Sequence, residues 1–173
     1  IKESILELKH VDETLDTFDN QIISLSYKIK GSIPVIYGIE NSTSIAALRF
    51  KNQLQENAKI LSFANNTPEI NHNEIESWSI NNKSFFIIWL KDSLLNKKLS
   101  RSIDAAIDLI DNLKIKQEII EFNNKYASNN NKIAKLFKMI YFLDLLSYYV
   151  ALLNNVNPTS IENIEFIKKS INK

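Results

Sequence analysis

The sequence predicts an α/β domain built on a doubly wound parallel sheet with helices on both faces. Short apolar runs alternate with segments of helical periodicity over about 140 residues, which is typical of repeated strand and helix units. The 173 residues are 45% hydrophobic and 24% charged, which is enough for one well-buried domain and too apolar for a disordered chain. A formal charge of +1 argues against nucleic acid or an anionic membrane as a partner.

The first elements are a helix, a strand and a second helix. Apolar side chains recur every three or four positions over 8–29, which predicts one amphipathic helix. The apolar run at 33–37 predicts a buried strand. Ser42 or Thr43 then caps a helix that ends near residue 57.

The later elements continue the alternation. The run at 139–153 contains Asp144 and is too short to cross a membrane, so we expect a buried core helix with an unexplained carboxylate. In this fold class ligands bind at the carboxyl ends of strands, here after residues 37, 64 and 90. The further predicted elements are strands at 59–64, 84–90 and 115–122, and helices at 73–79, around 103–110, at 133–153 and from about 159.

Composition excludes several kinds of site. Gly31 and Gly38 are the only glycines, where average usage of about 7% would give about twelve, so no Gly-rich phosphate loop exists in this chain. The absence of cysteine excludes a disulfide scaffold, a thiolate metal site and a cysteine nucleophile. The amino-terminal residues do not have the pattern of a signal peptide, so a cytoplasmic location is expected.

Glu56 and His72 are the candidates for proton transfer. From the pattern alone, Glu56 fits either a general base or a solvated residue at a helix end. His72 fits either a side chain that faces a ligand or an exposed loop histidine, whereas His10 lies off the helical stripe and is predicted to be solvated. His72 with Glu69 and Glu74 lacks a second histidine or a cysteine, so no metal site is predicted.

Two motifs occur in order after predicted structural elements. Residues 53–59 read Q-L-Q-E-N-A-K, and residues 68–75 read P-E-I-N-H-N-E-I. The run P-V-I-Y-G at 34–38 precedes them, and N-P-T at 157–159 is followed by a lysine-bearing helix. With these motifs the chain resembles the C-terminal half of the bifunctional phosphoglucose/phosphomannose isomerases, which consist of two sugar isomerase (SIS) domains.

The resemblance implies a three-layer, flavodoxin-like sheet of the SIS type, with residues 1–173 as one C-terminal SIS domain. It implies that glucose 6-phosphate and mannose 6-phosphate are interconverted with fructose 6-phosphate, with no metal or organic cofactor. Glu56 matches the base that moves a proton between C1 and C2 through an enediol. His72 matches the histidine that assists ring opening from the neighbouring subunit of a homodimer.

Three further residues enter through the resemblance. Lys168 is similar to the terminal-helix lysine near the sugar ring, although Lys169 leaves the register open by one residue. Thr159 matches the turn associated with accepting either C2 epimer, and Gly38 is predicted to contact the substrate.

The chain departs from the family in lacking the phosphate loop and the catalytic arginine, which the family carries in its N-terminal SIS domain. We therefore expect the chain to act with such a domain. We expect it to dimerise through the apolar stripes at 8–29 and 139–153. The alternative is a non-catalytic SIS module that binds a phosphosugar or only dimerises.

Overall fold

The computed structural model describes residues 2–13, 15–80, 83–123, 128 and 131–171, with the backbone alone for residues 10–13 and 15–19. The elements in chain order are α1 (Lys2–Glu13), α2 (Leu15–Ile29), β1 (Ile33–Ile39), α3 (Ser44–Asn57), β2 (Phe63–Thr67), a 3-10 turn (Glu69–His72), α4 (Glu74–Ser77), β3 (Phe85–Leu90), α5 (Lys97–Asn112), β4 (Gln117–Ile120), α6 (Lys132–Leu153) and α7 (Glu162–Ile171).

The four strands form one parallel sheet in the order β2, β1, β3, β4. Ile36 of β1 lies opposite Ala64 of β2 and Ile88 of β3. The sheet order reverses between β1 and β3, as in flavodoxin-like folds. The predicted doubly wound parallel sheet is confirmed.

Helices cover both faces of the sheet, which makes three layers. Ile36 and Ile88 point to one face, where α2, α3 and α6 pack. Tyr37 and Trp89 point to the other face and contact α5 and the segment around α4. Because β1 and β3 are buried on both faces, nearly every position in them is apolar.

The segment at 2–29 differs from the predicted single helix. Two helices, α1 and α2, lie on either side of residue 14, which is outside the described residues, and both pack on α6. Ile22, Leu25 and Ile29 of α2 are core residues, as the stripe predicts. α1 instead buries a polar residue: the carboxylate of Glu7 lies 3.7 Å from the ammonium of Lys138 on α6.

The second strand occupies 63–67 and not 59–64 as predicted. Lys59 has a left-handed backbone with φ of 58°, which turns the chain away from α3. Gln55 of α3 then donates a hydrogen bond to the Ser62 carbonyl at 3.0 Å. The residues before 63 are therefore held against the end of α3 and cannot extend the strand.

The α6 helix is the element that passes a membrane test of length and composition among the described helices. Its inner face lies against the sheet and α3, as predicted for a core helix. The buried apolar side chains on that face include Met139, Phe142, Leu143, Leu146 and Val150. The outer face leaves Phe137, Tyr148 and Leu152 exposed.

We expect Gly38→Ala to lower the free energy of unfolding by about 2 kcal/mol or more, because overpacking displaces backbone. A β-carbon at Gly38 would lie 2.7 Å from the Ser44 α-carbon and 3.0 Å from the Ala47 β-carbon. Urea unfolding followed by circular dichroism measures the change. Gly31→Asn is the matched control, since Gly31 has φ of 75°, which asparagine tolerates, and open space around it. A Gly38→Ala variant as stable as the control would contradict the packing argument.

Candidate functional site

Glu56 and His72 lie at opposite ends of the parallel strands. Glu56 is near the amino ends, and His72 is near the carboxyl ends. Helix α3 starts after the carboxyl end of β1 and runs back to the amino end of β2, and Glu56 is in its last turn. His72 ends the 3-10 turn that follows the carboxyl end of β2. The 14 residues of α3 separate the two edges by about 20 Å at 1.5 Å per residue. The fold therefore does not bring the two side chains together within one chain.

The carboxyl edge, where the fold class places ligands, is closed between β1 and β3. The Ser42 hydroxyl donates to a carboxylate oxygen of Asp92 at 2.5 Å, and Asp92 is only 9% exposed. The Thr43 hydroxyl donates to the Leu90 carbonyl at 2.6 Å and accepts from the Ile39 amide at 2.9 Å. Thr43 is the N-cap residue of α3, as predicted, but its hydroxyl bonds to the neighbouring strands and not to the amides of the helix. A carboxylate therefore lies in this crevice, where its negative charge is unfavourable for a phosphate.

Gly38 lies in β1 near this closed edge. It is buried, and its carbonyl accepts a hydrogen bond from the Thr67 hydroxyl at 3.2 Å. The close approach of α3 explains the glycine by packing. Its predicted contact with substrate stays a prediction, and Gly38 lies at the opposite end of α3 from Glu56.

In the Q-L-Q-E-N-A-K motif, the neighbours of Glu56 are buried or hydrogen-bonded. The Glu56 carboxylate has no partner among the described residues. Leu54 and Ala58 are in the core. The polar neighbours donate through their side-chain amides, Gln53 to Asp144 at 3.3 Å, Gln55 to the Ser62 carbonyl at 3.0 Å and Asn57 to the Ser147 hydroxyl at 2.8 Å. Within the described part of the chain, the exposed Glu56 side chain has no hydrogen bond or ion pair. It is available to exchange a proton with a ligand.

Asp144, which the sequence leaves unexplained, holds α3 against α6. The Arg49 guanidinium donates to its two oxygens at 3.0 Å from Nε and 2.7 Å from Nη2. These hydrogen bonds raise the pKa of Arg49 above its ordinary value. Gln53, one helical turn further along α3, also donates to Asp144. These hydrogen bonds therefore lie beside the last turns of α3. Asp144 thus links α6 to the helix that carries Glu56.

A cavity of about 290 Å³ lies beside Glu56 and joins it to the C-terminal segment. Lys59, Ser160 and the first turn of α7 also line it. The Lys59 ammonium donates to the Glu56 and Ser160 carbonyls, both at 2.5 Å. The N-P-T turn and α7 are therefore at the same edge of the sheet as Glu56.

Thr159 and Lys168 belong to this C-terminal segment. The Thr159 hydroxyl donates to the Asn157 side chain at 2.8 Å, which orders the turn. Lys168 lies one helical turn beyond Ile164, which lines the cavity, and on the same side of α7. Lys169 instead lies 4.0 Å from the carboxylate of Glu165 along the helix. Because residues 161–164 all line the cavity, the periodicity of α7 does not distinguish Lys168 from Lys169, and Lys168 stays a prediction.

The N-H-N-E motif repeats the pattern found around Glu56. Asn71 donates to the Ser102 hydroxyl at 2.8 Å, and Asn73 donates to the Glu69 carboxylate at 3.0 Å. His72, between them, is exposed and has no partner among the residues that the structure describes. The turn is held by its neighbours, and the imidazole is left free.

Glu74 ties the histidine turn to the sheet. One of its carboxylate oxygens accepts from the Tyr37 hydroxyl at 2.7 Å and the other from the Asn65 amide at 2.7 Å. The Trp78 indole donates to the same Tyr37 oxygen at 2.8 Å. Burial, with the hydrogen bond and charge of Glu74, raises the pKa of Tyr37 above its ordinary value. Tyr37 therefore stays a neutral donor that anchors the segment carrying His72.

Sequence reasoning missed the supporting residues Tyr37, Asn65, Lys59 and Arg49. A tyrosine inside a strand buried on both faces was a usable signal, since a buried phenol needs a hydrogen-bond partner. Asp144, the partner of Arg49, and Ser160, the distant partner of Lys59, are 95 and 101 residues away, and no local pattern indicates them. Across the described residues, no group of three or more histidine or acidic side chains could hold a metal ion.

Comparison with known proteins agrees with this fold. The family model described as the bacterial phospho-glucose isomerase C-terminal SIS domain matches residues 18–171. The bifunctional phosphoglucose/phosphomannose isomerase of Caldicellulosiruptor bescii is 33% identical over 150 residues, which are 85% of this chain and 43% of that protein. The enzyme of the same name from Thermoplasma volcanium is 32% identical over 142 residues, covering 80% of this chain and 43% of that protein. The chain thus spans less than half the length of these relatives.

Solved structures share the fold. A glucose-6-phosphate isomerase like protein from Thermus thermophilus superposes with a TM-score of 0.60 at 16% identity, covering 83% of this chain and 46% of that one. The C-terminal domain of glucosamine-fructose-6-phosphate aminotransferase from Francisella tularensis superposes with a TM-score of 0.63 at 15% identity, covering 83% and 42%. Taken with the match over residues 18–171, the chain belongs to the family of bacterial phosphoglucose isomerase C-terminal SIS domains.

Proposed function

We propose that this chain is the proton-transfer half of an aldose–ketose isomerase that interconverts glucose 6-phosphate and mannose 6-phosphate with fructose 6-phosphate. One observation carries the proposal. In each of two motifs the neighbouring side chains are tied by hydrogen bonds or burial, and the free side chain is the one suited to proton transfer, Glu56 in one and His72 in the other. The names of the curated relatives support the same reaction.

In the proposed reaction His72 moves a proton between the ring oxygen and O1, which opens the sugar. Glu56 then takes the proton from C2 of the open-chain aldose, and the C1 carbonyl becomes an enediol oxygen that gains a proton. Return of the proton from Glu56 to C1, with loss of the O2 proton, forms the ketose. No electrons leave the sugar, so the reaction needs no oxidant. Lys168 supplies a positive charge beside the ring, and Thr159 faces C2.

Two copies of the chain are needed to complete this site. Because Glu56 and His72 lie at opposite ends of α3, a two-fold axis that crosses α3 near its middle brings the histidine of one copy towards the glutamate of the other. The face of α3 and β2 between these ends is apolar and exposed. Its side chains are Ile45 and Leu48 of α3 and Leu61, which precedes β2, each 53–62% exposed.

We assign the homodimer contact to this α3–β2 face. In the stripes at 8–29 and 139–153, which the sequence predicts as dimer surfaces, the described side chains Ile22, Leu25 and Ile29 and the inner face of α6 pack in the core. β2 is also an edge strand, so its outer side has no strand partner among the residues that the structure describes. An apolar, unpaired face beside both candidate groups fits a second copy better than the stripes do.

We further propose that an N-terminal SIS domain supplies the phosphate grip. Asp92 fills the carboxyl-edge crevice of this chain, and no Gly-rich loop is present. Helix α7 has no buried residue in this domain and exposes Ile164, Phe166, Ile167 and Ile171. A surface of that composition fits packing against another domain, which would set Lys168 against the sugar.

The reaction is tested on the chain joined to an N-terminal SIS domain of the same family, with fructose 6-phosphate in deuterium oxide. We expect nuclear magnetic resonance to detect glucose 6-phosphate and mannose 6-phosphate with deuterium at C2, because a carboxylate base exchanges its proton with solvent. Calorimetric binding of the sugar phosphate without conversion would overturn the proposal in favour of a non-catalytic SIS module. Deuterium at C2 supports the enediol route, because a direct hydride shift between C1 and C2 incorporates none.

A further inference from the structure

Lys59 stands at the junction between α3 and the C-terminal segment. It follows the last residue of the α3 cap, Ala58, and its own backbone is left-handed with φ of 58°. Glycine or asparagine takes this conformation more readily than lysine. A lysine at this position therefore suggests that its side chain compensates for the strained backbone.

The Lys59 ammonium makes two hydrogen bonds that close this junction. It donates to the carbonyl of Glu56, one of the last carbonyls of α3, and to the carbonyl of Ser160, both at 2.5 Å. The first bond satisfies a free carbonyl at the helix end, where a positive charge is favoured. The second spans 101 positions of sequence.

The bond to Ser160 is the main tie on the segment from 157 to 171. Among the described residues, it is the one hydrogen bond that joins this segment to the rest of the domain. The other bonds of the segment are internal, such as those from Thr159 to Asn157 and from Ser160 to Glu162. α7 buries no residue, so packing within the domain does not fix it either.

We propose that Lys59 is a positioning residue that holds the Thr159 turn and α7 over the Glu56 carboxylate and thereby sets the preference between C2 epimers. Glu56, Lys59 and the Ser160 turn line one cavity, so a shift of the turn changes the space in which C2 is held. The preference rests on the proposed isomerase function. The hydrogen bond between Lys59 and Ser160 does not depend on that function, because it is a property of the folded chain.

The test compares Lys59→Met, which removes the donors and keeps the length, with Lys59→Arg, which keeps a charged double donor. In Lys59→Met we expect backbone amides at 159–171 to exchange hydrogen at least about threefold faster, because a charge-assisted bond is lost. We expect the ratio of kcat/KM for glucose 6-phosphate over mannose 6-phosphate to change by about threefold or more, with Lys59→Arg restoring most of both effects. Lys98→Met, on the exposed side of α5, is the control.

Hydrogen exchange tests whether Lys59 holds the C-terminal segment, and the kcat/KM ratio tests whether this contact sets the epimer preference. Unchanged hydrogen exchange in Lys59→Met would overturn the tie, whatever the activity. Faster exchange with an unchanged epimer ratio would overturn the role in specificity. If the unsubstituted two-domain protein does not convert fructose 6-phosphate, the proposed isomerase function and the epimer preference fail together, and the exchange measurement still decides the tie.

Discussion

Replacing Glu56 by glutamine should lower the turnover of fructose 6-phosphate at least about 100-fold, since loss of a general base costs that much or more. The amide has the shape of the carboxylate but cannot accept the C2 proton. Glu56 is exposed, and in the described part of the chain its side chain has no partner, so the substitution removes no contact. We therefore expect the fall in kcat with little change in KM, in a coupled assay of the two-domain protein.

The matched control is Glu121→Gln, an exposed glutamate after β4 and outside both motifs. Both variants should unfold at the same urea concentration as the parent protein. The Glu56→Gln variant should also lose deuterium incorporation at C2, because the same group carries that proton. Turnover like that of the control would reject Glu56 as the base, even if the isomerase reaction itself is found.

Mixing two inactive variants should restore activity. If each site takes Glu56 from one copy and His72 from the other, a dimer of one Glu56→Gln chain and one His72→Asn chain contains one intact site. Random exchange between equal amounts makes half the dimers mixed, so we expect about a quarter of the parent activity. Each variant alone should give about 1% or less, because proton transfer by either group contributes about 100-fold or more.

A second mixture tests the same shared site through a loss of activity. The double variant Glu56→Gln and His72→Asn, mixed with an equal amount of parent protein, should halve the parent activity, because about half of the intact sites are lost to mixed dimers. A site contained within one chain predicts no loss in this mixture and no recovery in the first one. Subunit exchange is confirmed by native mass spectrometry before activity is read.

The strands and the family were readable from the sequence. The runs at 33–39 and 85–90 are apolar at nearly every position, since both faces of β1 and β3 are covered, and this pattern predicts a parallel sheet. The Q-L-Q-E-N-A-K and N-H-N-E motifs carried the family resemblance, because they keep residue type and spacing. Both are local properties, which a chain displays before it folds.

The strand at 63–67 and the split of the first helix were not readable in the same way. β2 contains two asparagines because it is a short edge strand, so its hydrophobic pattern is weak. Its start depends on the hydrogen bond between Gln55 and Ser62. α1 buries Glu7 against Lys138, a pairing across 131 positions that hydrophobic periodicity cannot indicate.

By itself the sequence determined the order of strands and helices, the membership of the family and the identity of Glu56 and His72 as candidates. Only the tertiary structure decided that these two lie at opposite ends of α3, that Asp92 closes the carboxyl edge, and that Lys59 and Asp144 hold the glutamate end together. The physical reason is the distance along the sequence between the residues that interact. Apolar periodicity is set by neighbours three or four positions apart, whereas the polar contacts that orient a site join residues that only the packed layers bring within 3 Å of one another.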